Sequence, residues 1–185
     1  SVAAGLVAAG LGRGSRVGLL LDNRAEFLEV LFGAAAIGAT AVPFSTRSRR
    51  RELEFLFADS RVEAIVFLDR AGDIVSASDV MQIARARPGV FKAMVALGSV
   101  PAGALGYRTF GADGEAASAA RAIALAAASG RPGDDAVVLY TSGSTAHPNA
   151  VPLAHGSLVE NGFNIGERQG LRSMRWKVSV LFISA

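Results

Sequence analysis

The residues with the clearest capacity for chemistry form one short segment, Thr141 to Asn149, which reads Thr-Ser-Gly-Ser-Thr-Ala-His-Pro-Asn. Its hydroxyl residues are Thr141, Ser142, Ser144 and Thr145. Gly143 would let backbone N–H groups approach a ligand closely, and neighbouring N–H and O–H dipoles form a concavity that suits phosphate oxygens. A polar turn without a ligand uses the same residue types. The residues alone therefore leave phosphate binding and a plain turn open.

Other sequence motifs that handle phosphate or acyl groups are missing. The chain has no Gly-Lys pair, which a Walker A loop requires. Gly10, Gly12 and Gly14 precede an apolar run instead of following one, so they do not form a dinucleotide-binding fingerprint. Ser144 lacks the glycines that stand two residues to either side of the serine in a nucleophile elbow. The hydroxyl-rich segment is therefore the candidate phosphate-binding site of the sequence.

The composition excludes several classes of protein. Among 185 residues there is no cysteine and there are two histidines, His147 and His155. Disulfide scaffolds and thiolate chemistry are therefore excluded, and a histidine zinc site is disfavoured. Nineteen Lys and Arg stand against 16 Asp and Glu, a mixed balance that does not predict nucleic-acid binding. The longest apolar run, Val30 to Phe44, is shorter than the roughly 20 residues of a bilayer span. Because the N-terminus also has no basic leader, we expect a cytoplasmic protein.

The elements that must position the hydroxyl-rich segment follow from an alternation of apolar runs and amphipathic stretches. Apolar runs predict strands at 16–21, 39–42, 62–68, 91–97, 135–141 and 178–183. Amphipathic stretches predict helices at 1–11, 23–37, 48–58, 76–85 and 115–128, and a last one opened by a capping box at Ser157 and Glu160. A glycine-rich loop is predicted at 98–114. Strands that alternate with helices predict an α/β fold, with mostly parallel β-sheet layers flanked by helices.

The hydroxyl-rich segment lies within a longer pattern, Tyr140-Thr-Ser-Gly-Ser-Thr, then Pro148, Val151 and Leu153-Ala-His-Gly-Ser-Leu. This pattern resembles the phosphate-loop signature of AMP-forming acyl-CoA synthetases, which belong to the adenylate-forming superfamily. Further stretches resemble successive parts of the same family in order along the chain, at 12–23, 26–43, 51–60 and 161–171. The resemblance thus extends over nearly the whole chain. Tyr140 itself is predicted to pack rather than to take part in chemistry.

The resemblance implies a fold, a reaction and a set of binding residues. The fold is part of the large N-terminal domain of adenylate-forming enzymes. In the reaction a carboxylate attacks the α-phosphate of ATP, with Mg²⁺, to give acyl-AMP and pyrophosphate, and coenzyme A then displaces AMP to form a thioester. The residues carried over to ATP binding are Thr141, Ser142, Gly143, Ser144, Thr145, His147 and Asn149. Thr145 is also the implied Mg²⁺ ligand, and no catalytic residue is assigned.

The segment departs from the family pattern at three positions. The family continues as Gly-x-Pro-Lys-Gly, whereas this chain continues as Ala146-His-Pro-Asn-Ala150. Asn149 stands at the position of the family lysine, and its amide offers dipolar donors where a lysine offers a full charge. His147 can replace part of that charge when it is protonated. We therefore expect a degenerate phosphate loop that binds phosphate more weakly than a loop with the full family pattern.

Residues 1–185 are predicted to be a partial N-terminal AMP-binding domain with a candidate seam at 98–114. Both ends of the chain fall inside predicted elements, and the resembled family continues into the rest of this domain and into a mobile C-terminal domain with a catalytic lysine. We therefore expect an acid–thiol ligase of which this stretch alone is inactive. Its implied partner is a carboxylic acid, with a fatty acid as one candidate, and a homo-oligomer stays open.

Two alternative interpretations stay open beside this one. The first is a catalytically silent nucleotide-binding or interaction protein on the same fold, which the missing loop lysine favours. The second is an adenylation domain that passes its acyl group to a carrier protein instead of coenzyme A. The residues identify neither the acid nor the thiol acceptor.

Overall fold

A computed structural model describes residues 1–70, 76–112, 116–141 and 148–170. In this part of the chain, seven strands form one sheet in the order β5-β4-β3-β1-β2-β6-β7. The elements in chain order are α1 (Val2–Ala8), β1 (Arg16–Leu20), α2 (Ala25–Ala36), β2 (Thr40–Pro43), α3 (Arg50–Ser60), β3 (Ala64–Leu68), α4 (Ser76–Ala86), β4 (Ala93–Leu97), β5 (Leu105–Gly106), α5 (Ala116–Ser129), β6 (Asp135–Thr141), β7 (Asn149–Ala154) and α6 (His155–Arg168). The strand predicted at 178–183 lies outside the described residues. None of the helices in the described ranges is long and apolar enough to cross a membrane.

The central strands are buried on both faces. All five residues of β3 are buried, and so are Val17 to Leu20 of β1. Such continuous apolar runs are typical of a parallel sheet that helices cover on both sides. The ladders β1–β2, β1–β3, β2–β6, β3–β4 and β4–β5 are all parallel. The structure therefore confirms the predicted α/β class with a mostly parallel sheet.

Two hydrophobic clusters cover the two faces of this sheet. Neighbouring strand residues point to opposite faces, so Val66 lies in the first cluster and Phe67 in the second. The helices of the first face contribute Leu6, Val30 and Ala34, from α1 and α2. The helices of the second face contribute Leu53, Phe57, Val80 and Ile83, from α3 and α4. Each fully buried Leu, Val, Ile or Phe side chain contributes about 1.5–3 kcal/mol.

Strands β6 and β7 form an antiparallel hairpin, of which the sequence predicted only the first strand. The ladder runs from Asp135 opposite Ala154 to Thr141 opposite Asn149. β7 lies at the edge of the sheet, where Pro152 is tolerated because an edge strand has one side without ladder bonds. β6 is fastened to β2 by the pair Ala41–Val137 and by the Thr40 hydroxyl, which donates to the carbonyl of Asp135 at 3.0 Å.

Helix α6 begins three residues earlier than the predicted capping box requires. Ala154 occupies the N-cap position and makes no side-chain cap, so the prediction that Ser157 caps this helix is wrong. The first N–H groups of a helix need acceptors other than helix carbonyls. Here the N–H of His155 donates to the carbonyl of Asp134 at 3.0 Å, and that of Gly156 donates to Pro132 at 2.8 Å. The turn before β6 thus replaces a side-chain cap.

The glycine-rich stretch after β4 contains a short strand that the sequence did not predict. Leu105 and Gly106 of β5 pair in parallel with β4. Phe110, a few residues further on, is buried against α1. A Cβ atom at Gly5 would lie 2.8 Å from the ring of Phe110, so the absence of a side chain at Gly5 permits this contact.

Candidate functional site

The carboxyl ends of β1, β2, β3, β4 and β6 lie at one edge of the sheet, because these strands are parallel. Ligands of parallel α/β sheets bind beyond this edge. Thr141, the last residue of β6, is therefore where the predicted binding segment starts. Among the predicted site residues, the structure describes Thr141 and Asn149. The others, Ser142, Gly143, Ser144, Thr145 and His147, lie outside the described residues.

Thr141 and Asn149 are brought together by the hairpin. They are ladder partners at the end of β6 and the start of β7, and both are exposed. Directly opposed residues of an antiparallel pair have Cβ atoms about 4.5–5.5 Å apart on the same face. Leu139 packs against the first cluster, so the alternation along β6 puts Thr141 and Asn149 on the α1–α2 side. A threonine hydroxyl and an asparagine amide thus stand side by side at the mouth of the segment.

Tyr140 faces the other side of the sheet and fastens the end of β6 to α3. Its hydroxyl donates to Oδ2 of Asp59 at 2.5 Å. Its ring stacks on Phe44, with centroids 6.2 Å apart and planes inclined by 28°. Burial, reinforced by the hydrogen bond to Asp59, raises the pKa of Tyr140 above its usual value near 10. The phenol therefore stays protonated, and remains a donor, throughout the neutral range.

The ring of Phe44 continues this contact into the core. It meets Phe57 of α3 edge-on at 5.1 Å, and Phe57 meets Phe91, just before β4, edge-on at 5.5 Å. Such edge-to-face pairs contribute about 0.5–1.5 kcal/mol beyond the area that they bury. The sequence predicted packing for Tyr140, and this is what the ring does. It gave no signal for Asp59, which lies 81 residues away along the chain.

The amino end of β6 is held by a separate polar contact. The guanidinium of Arg13 donates to both carboxylate oxygens of Asp134, at 3.2 and 2.9 Å. The backbone N–H of Arg131 donates to the same carboxylate at 3.0 Å. The hydrogen bond from Arg13, followed by that from Arg131, holds the pKa of Asp134 below its usual range. Both ends of β6 are thus tied by polar side chains to other elements.

At the same edge of the sheet, Asp69, which follows β3, contacts the turn that follows β4. The N–H of Ser99 donates to Oδ2 of Asp69 at 2.9 Å, and this bond lowers the pKa of Asp69. Gly98, with φ of +98°, lies so close that an added Cβ would meet the Asp69 carboxylate at 2.4 Å. The carboxylate of Asp69 therefore stabilises the turn after β4 by accepting this hydrogen bond. In the described ranges no three His, Cys, Asp or Glu side chains come together as a metal site.

A cavity of about 270 Å³ lies away from Thr141, between α1 and the β4–β5 end of the sheet. Lys92, which precedes β4 and so lies at the amino edge, lines this cavity. Its ammonium already donates to the Gly10 carbonyl at 3.2 Å and pairs with Glu63 at 2.5 Å. The ammonium of Lys92 lowers the pKa of Glu63. The charged groups beside this cavity are therefore satisfied within the protein.

Comparison with known proteins identifies the family. Residues 1–184 match the model of the family described as AMP-binding enzyme. The chain is 31% identical over 154 residues to the long-chain-fatty-acid–CoA ligase FadD13 of Mycobacterium tuberculosis, a match that covers 83% of this chain. It is 29% identical over 157 residues to the polyketide synthase-nonribosomal peptide synthetase phmA of Phaeosphaeria nodorum, covering 85% of this chain. The chain therefore belongs to the AMP-binding enzyme family.

A solved structure extends this likeness to the fold. The anthranilate CoA ligase AuaEII, in complex with anthranoyl-AMP, matches 83% of this chain with a TM-score of 0.69 and 25% sequence identity. The matches cover 27% of FadD13, 3% of phmA and 27% of AuaEII, so the chain spans only a part of each. These findings confirm the resemblance drawn from the sequence, including its placement in the N-terminal portion of such proteins.

Proposed function

We propose that this chain supplies the ATP-phosphate-binding part of an AMP-forming acyl-CoA ligase. A carboxylate oxygen of the acid attacks the α-phosphorus of ATP, and the bond to pyrophosphate breaks, which leaves acyl-AMP. The thiol of coenzyme A then loses its proton, its sulfur bonds to the acyl carbon, and AMP leaves. Both ATP and coenzyme A are substrates that the cytoplasm supplies, so we place the protein there.

The observation that carries the proposal is the hairpin at the carboxyl edge of a sheet whose chain belongs to the AMP-binding family. Thr141 and Asn149, as ladder partners, offer a hydroxyl and an amide to phosphate oxygens at this edge. Preorganised donors of this kind stabilise the charge that develops on a reacting phosphate. In the proposal, the hydroxyls of Ser142, Ser144 and Thr145 add further donors.

The proposed reaction also uses Mg²⁺, for which Thr145 is the candidate ligand. Mg²⁺ would neutralise charge on the ATP phosphates, as it does in phosphoryl-transfer sites. The described residues contain no cluster of carboxylates or histidines to hold the ion, and Thr145, its predicted ligand, lies outside them. Because the chain spans 27% of FadD13, we propose that the activity belongs to a longer protein and that this stretch alone is inactive.

The decisive test is ATP–pyrophosphate exchange by the full-length protein that carries this chain. The panel of acids includes long-chain fatty acids, because FadD13 is named for them, and aromatic acids, because AuaEII is named for anthranilate. We expect exchange with at least one acid, and thioester formation when coenzyme A is added. No exchange with any acid would leave the catalytically silent alternative.

The similarity to phmA favours a second candidate, an adenylation domain that loads a carrier protein. The same assay distinguishes the two when coenzyme A and a carrier protein with its phosphopantetheine arm are offered separately. Thioester formed on coenzyme A supports the ligase. Acyl-AMP that is consumed only by the carrier protein supports the loading domain.

The degenerate position at Asn149 has its own test. Asn149→Lys places a full positive charge beside Thr141, and we expect the KM for ATP in pyrophosphate release to fall several-fold. Asn164→Lys is the matched control, because it adds the same charge at an exposed position of α6. An unchanged KM in Asn149→Lys, or an equal fall in the control, contradicts a role for position 149 in phosphate binding.

A further inference from the structure

The carboxyl end of β6 has few ties to the strand beside it. The described ladder pair between β2 and β6 is Ala41–Val137, four residues before Thr141. β2 ends at Pro43, which has no N–H to give. The next N–H, of Phe44, donates to the carbonyl of Leu19 in β1 at 2.8 Å and not to β6. On its other side β6 pairs with β7, whose first four residues are exposed.

Tyr140 lies at this end of β6, which pairs with β7 but has no described ladder pair with β2 beyond Val137, and it connects this end to α3. Asp59, which accepts its hydroxyl, belongs to α3, and α3 is held against the second cluster by Leu53 and Phe57, each 1% exposed. A hydrogen bond between a neutral phenol and a carboxylate is charge-assisted and roughly twice as strong as a neutral one. The stacked ring of Phe44 restricts Tyr140 from the side.

We propose that Tyr140 and Asp59 form a positioning pair that sets where the end of β6, and with it Thr141 and Asn149, stands relative to the nucleotide phosphates. This inference rests on the proposed function. Tyr140 points away from Thr141, to the opposite face of the sheet, so it acts on the site through the strand and not by touching substrate. A displacement of about 1 Å in a positioning element can cost 100-fold in rate.

The chain contains its own control for this contact. It has two tyrosines, and the second, Tyr107, also donates its hydroxyl to a carboxylate, Oε2 of Glu29, at 2.5 Å. Burial raises its pKa in the same direction as that of Tyr140. Tyr107 directly follows β5, which lies at the opposite edge of the sheet from β7. The two pairs therefore share their chemistry and differ in their distance from Thr141.

The experiment compares Tyr140→Phe, Asp59→Ala and Asp59→Asn with Tyr107→Phe in the full-length protein. We expect Tyr140→Phe and Asp59→Ala to raise the KM for ATP about tenfold or more in pyrophosphate release, with a smaller change in kcat. Asp59→Asn keeps an oxygen acceptor and is expected to fall between the wild type and Asp59→Ala. Tyr107→Phe is expected to keep the wild-type KM. The double variant Tyr140→Phe/Asp59→Ala should be no worse than either single change, because both remove one contact.

Amide hydrogen exchange of peptides that cover 136–141 and 148–154 gives a readout that does not need activity. Faster exchange there in Tyr140→Phe, with exchange elsewhere unchanged, supports the pair. The proposal is overturned if Tyr140→Phe keeps the wild-type KM for ATP and the wild-type amide hydrogen exchange. It is also overturned if Tyr107→Phe has the same effects as Tyr140→Phe, or if the two changes in the double variant are additive. If the wild type shows no ATP–pyrophosphate exchange with any acid, the proposed function fails. The amide hydrogen exchange of β6 still decides whether Tyr140 and Asp59 hold this strand.

Discussion

The middle of the sheet and its β6–β7 end are held by different kinds of interaction. β3 is buried throughout and carries no polar side chain, whereas β7 exposes its first four residues and α6 buries only Gly166. In the middle, non-directional burial of apolar surface holds the strands. At the β6–β7 end, single polar contacts such as Tyr140–Asp59 and Arg13–Asp134 fasten the strand that leads to the candidate site. Apolar burial thus dominates in the middle of the sheet, whereas the candidate site lies at the end that polar side chains help to hold.

The largest expected difference between the two regions is in the free energy of unfolding lost when a phenylalanine is removed. Phe57 of α3 is 1% exposed and touches the rings of Phe44 and Phe91, whereas Phe163 of α6 is 66% exposed. We expect Phe57→Ala to lower the free energy of unfolding by about 3–5 kcal/mol, since it removes buried surface and leaves a cavity. Phe163→Ala should change it by less than about 0.5 kcal/mol. Urea unfolding of the full-length variants measures both values.

Equal losses in these two variants would contradict this contrast. A large loss for Phe163→Ala would mean that another part of the full-length protein covers α6. That outcome would assign the exposed side chains of Leu158, Val159 and Phe163 to an interface within the longer protein. The loss expected for Phe57→Ala does not depend on such an interface.

Two glycines give the next largest difference, and here the expected signs are opposite. A Cβ at Gly18 of β1 would meet Ile65 Cδ1 at 2.7 Å and the Phe44 ring at 2.9 Å, both within the buried core. We expect Gly18→Ala to destabilise the protein by about 1–3 kcal/mol through overpacking. At Gly162 of α6 nothing lies within 4 Å, so Gly162→Ala should stabilise the helix by about 0.5–1 kcal/mol. Thermal unfolding checks both signs, and a loss of stability in Gly162→Ala would contradict the open surroundings of α6.

The same contrast explains what could be predicted from the sequence. β1 and β3 were predicted because a run of apolar residues is a local signal, and burial on both faces leaves no alternation to interpret. The α/β class followed from the order of such runs. The start of α6 was misplaced because the acceptors of its first N–H groups are carbonyls of a turn more than twenty residues earlier, at Pro132 and Asp134. A side-chain pattern at Ser157 carries no information about them.

The sequence singles out candidate site residues but does not specify their geometry. The run from Thr141 to Asn149 could be singled out by composition and by resemblance. That its two ends are ladder partners depends on the pairing of β6 with β7, which residue types do not specify. The contact between Tyr140 and Asp59 spans 81 residues, and each partner alone has the pattern of an ordinary packed or surface residue. Non-local contacts of this kind decide where the strand end stands.

The smallest expected effects concern the polar ties at the two ends of β6, which titrate in opposite directions. The Arg13 guanidinium lowers the pKa of Asp134, so this tie is complete above about pH 4 and is lost as the pH falls through the lowered pKa. Burial raises the pKa of Tyr140, so its tie to Asp59 is complete below about pH 10 and is lost as the pH rises through the raised pKa. Acid should therefore loosen the amino end of β6, and alkali the carboxyl end.

Residue-resolved hydrogen exchange along β6, corrected for intrinsic rates, measures this separation at acidic, neutral and alkaline pH. Asp134→Asn should remove the acid response and keep the alkaline one, and Tyr140→Phe should do the reverse. Because Arg13 and Asp134 are solvent-exposed, salt should weaken the acid-sensitive tie more than the half-buried tyrosine contact. If both ends of β6 open together at both extremes, the strand behaves as one cooperative unit with the buried middle of the sheet, and the two regions are not separate in energy.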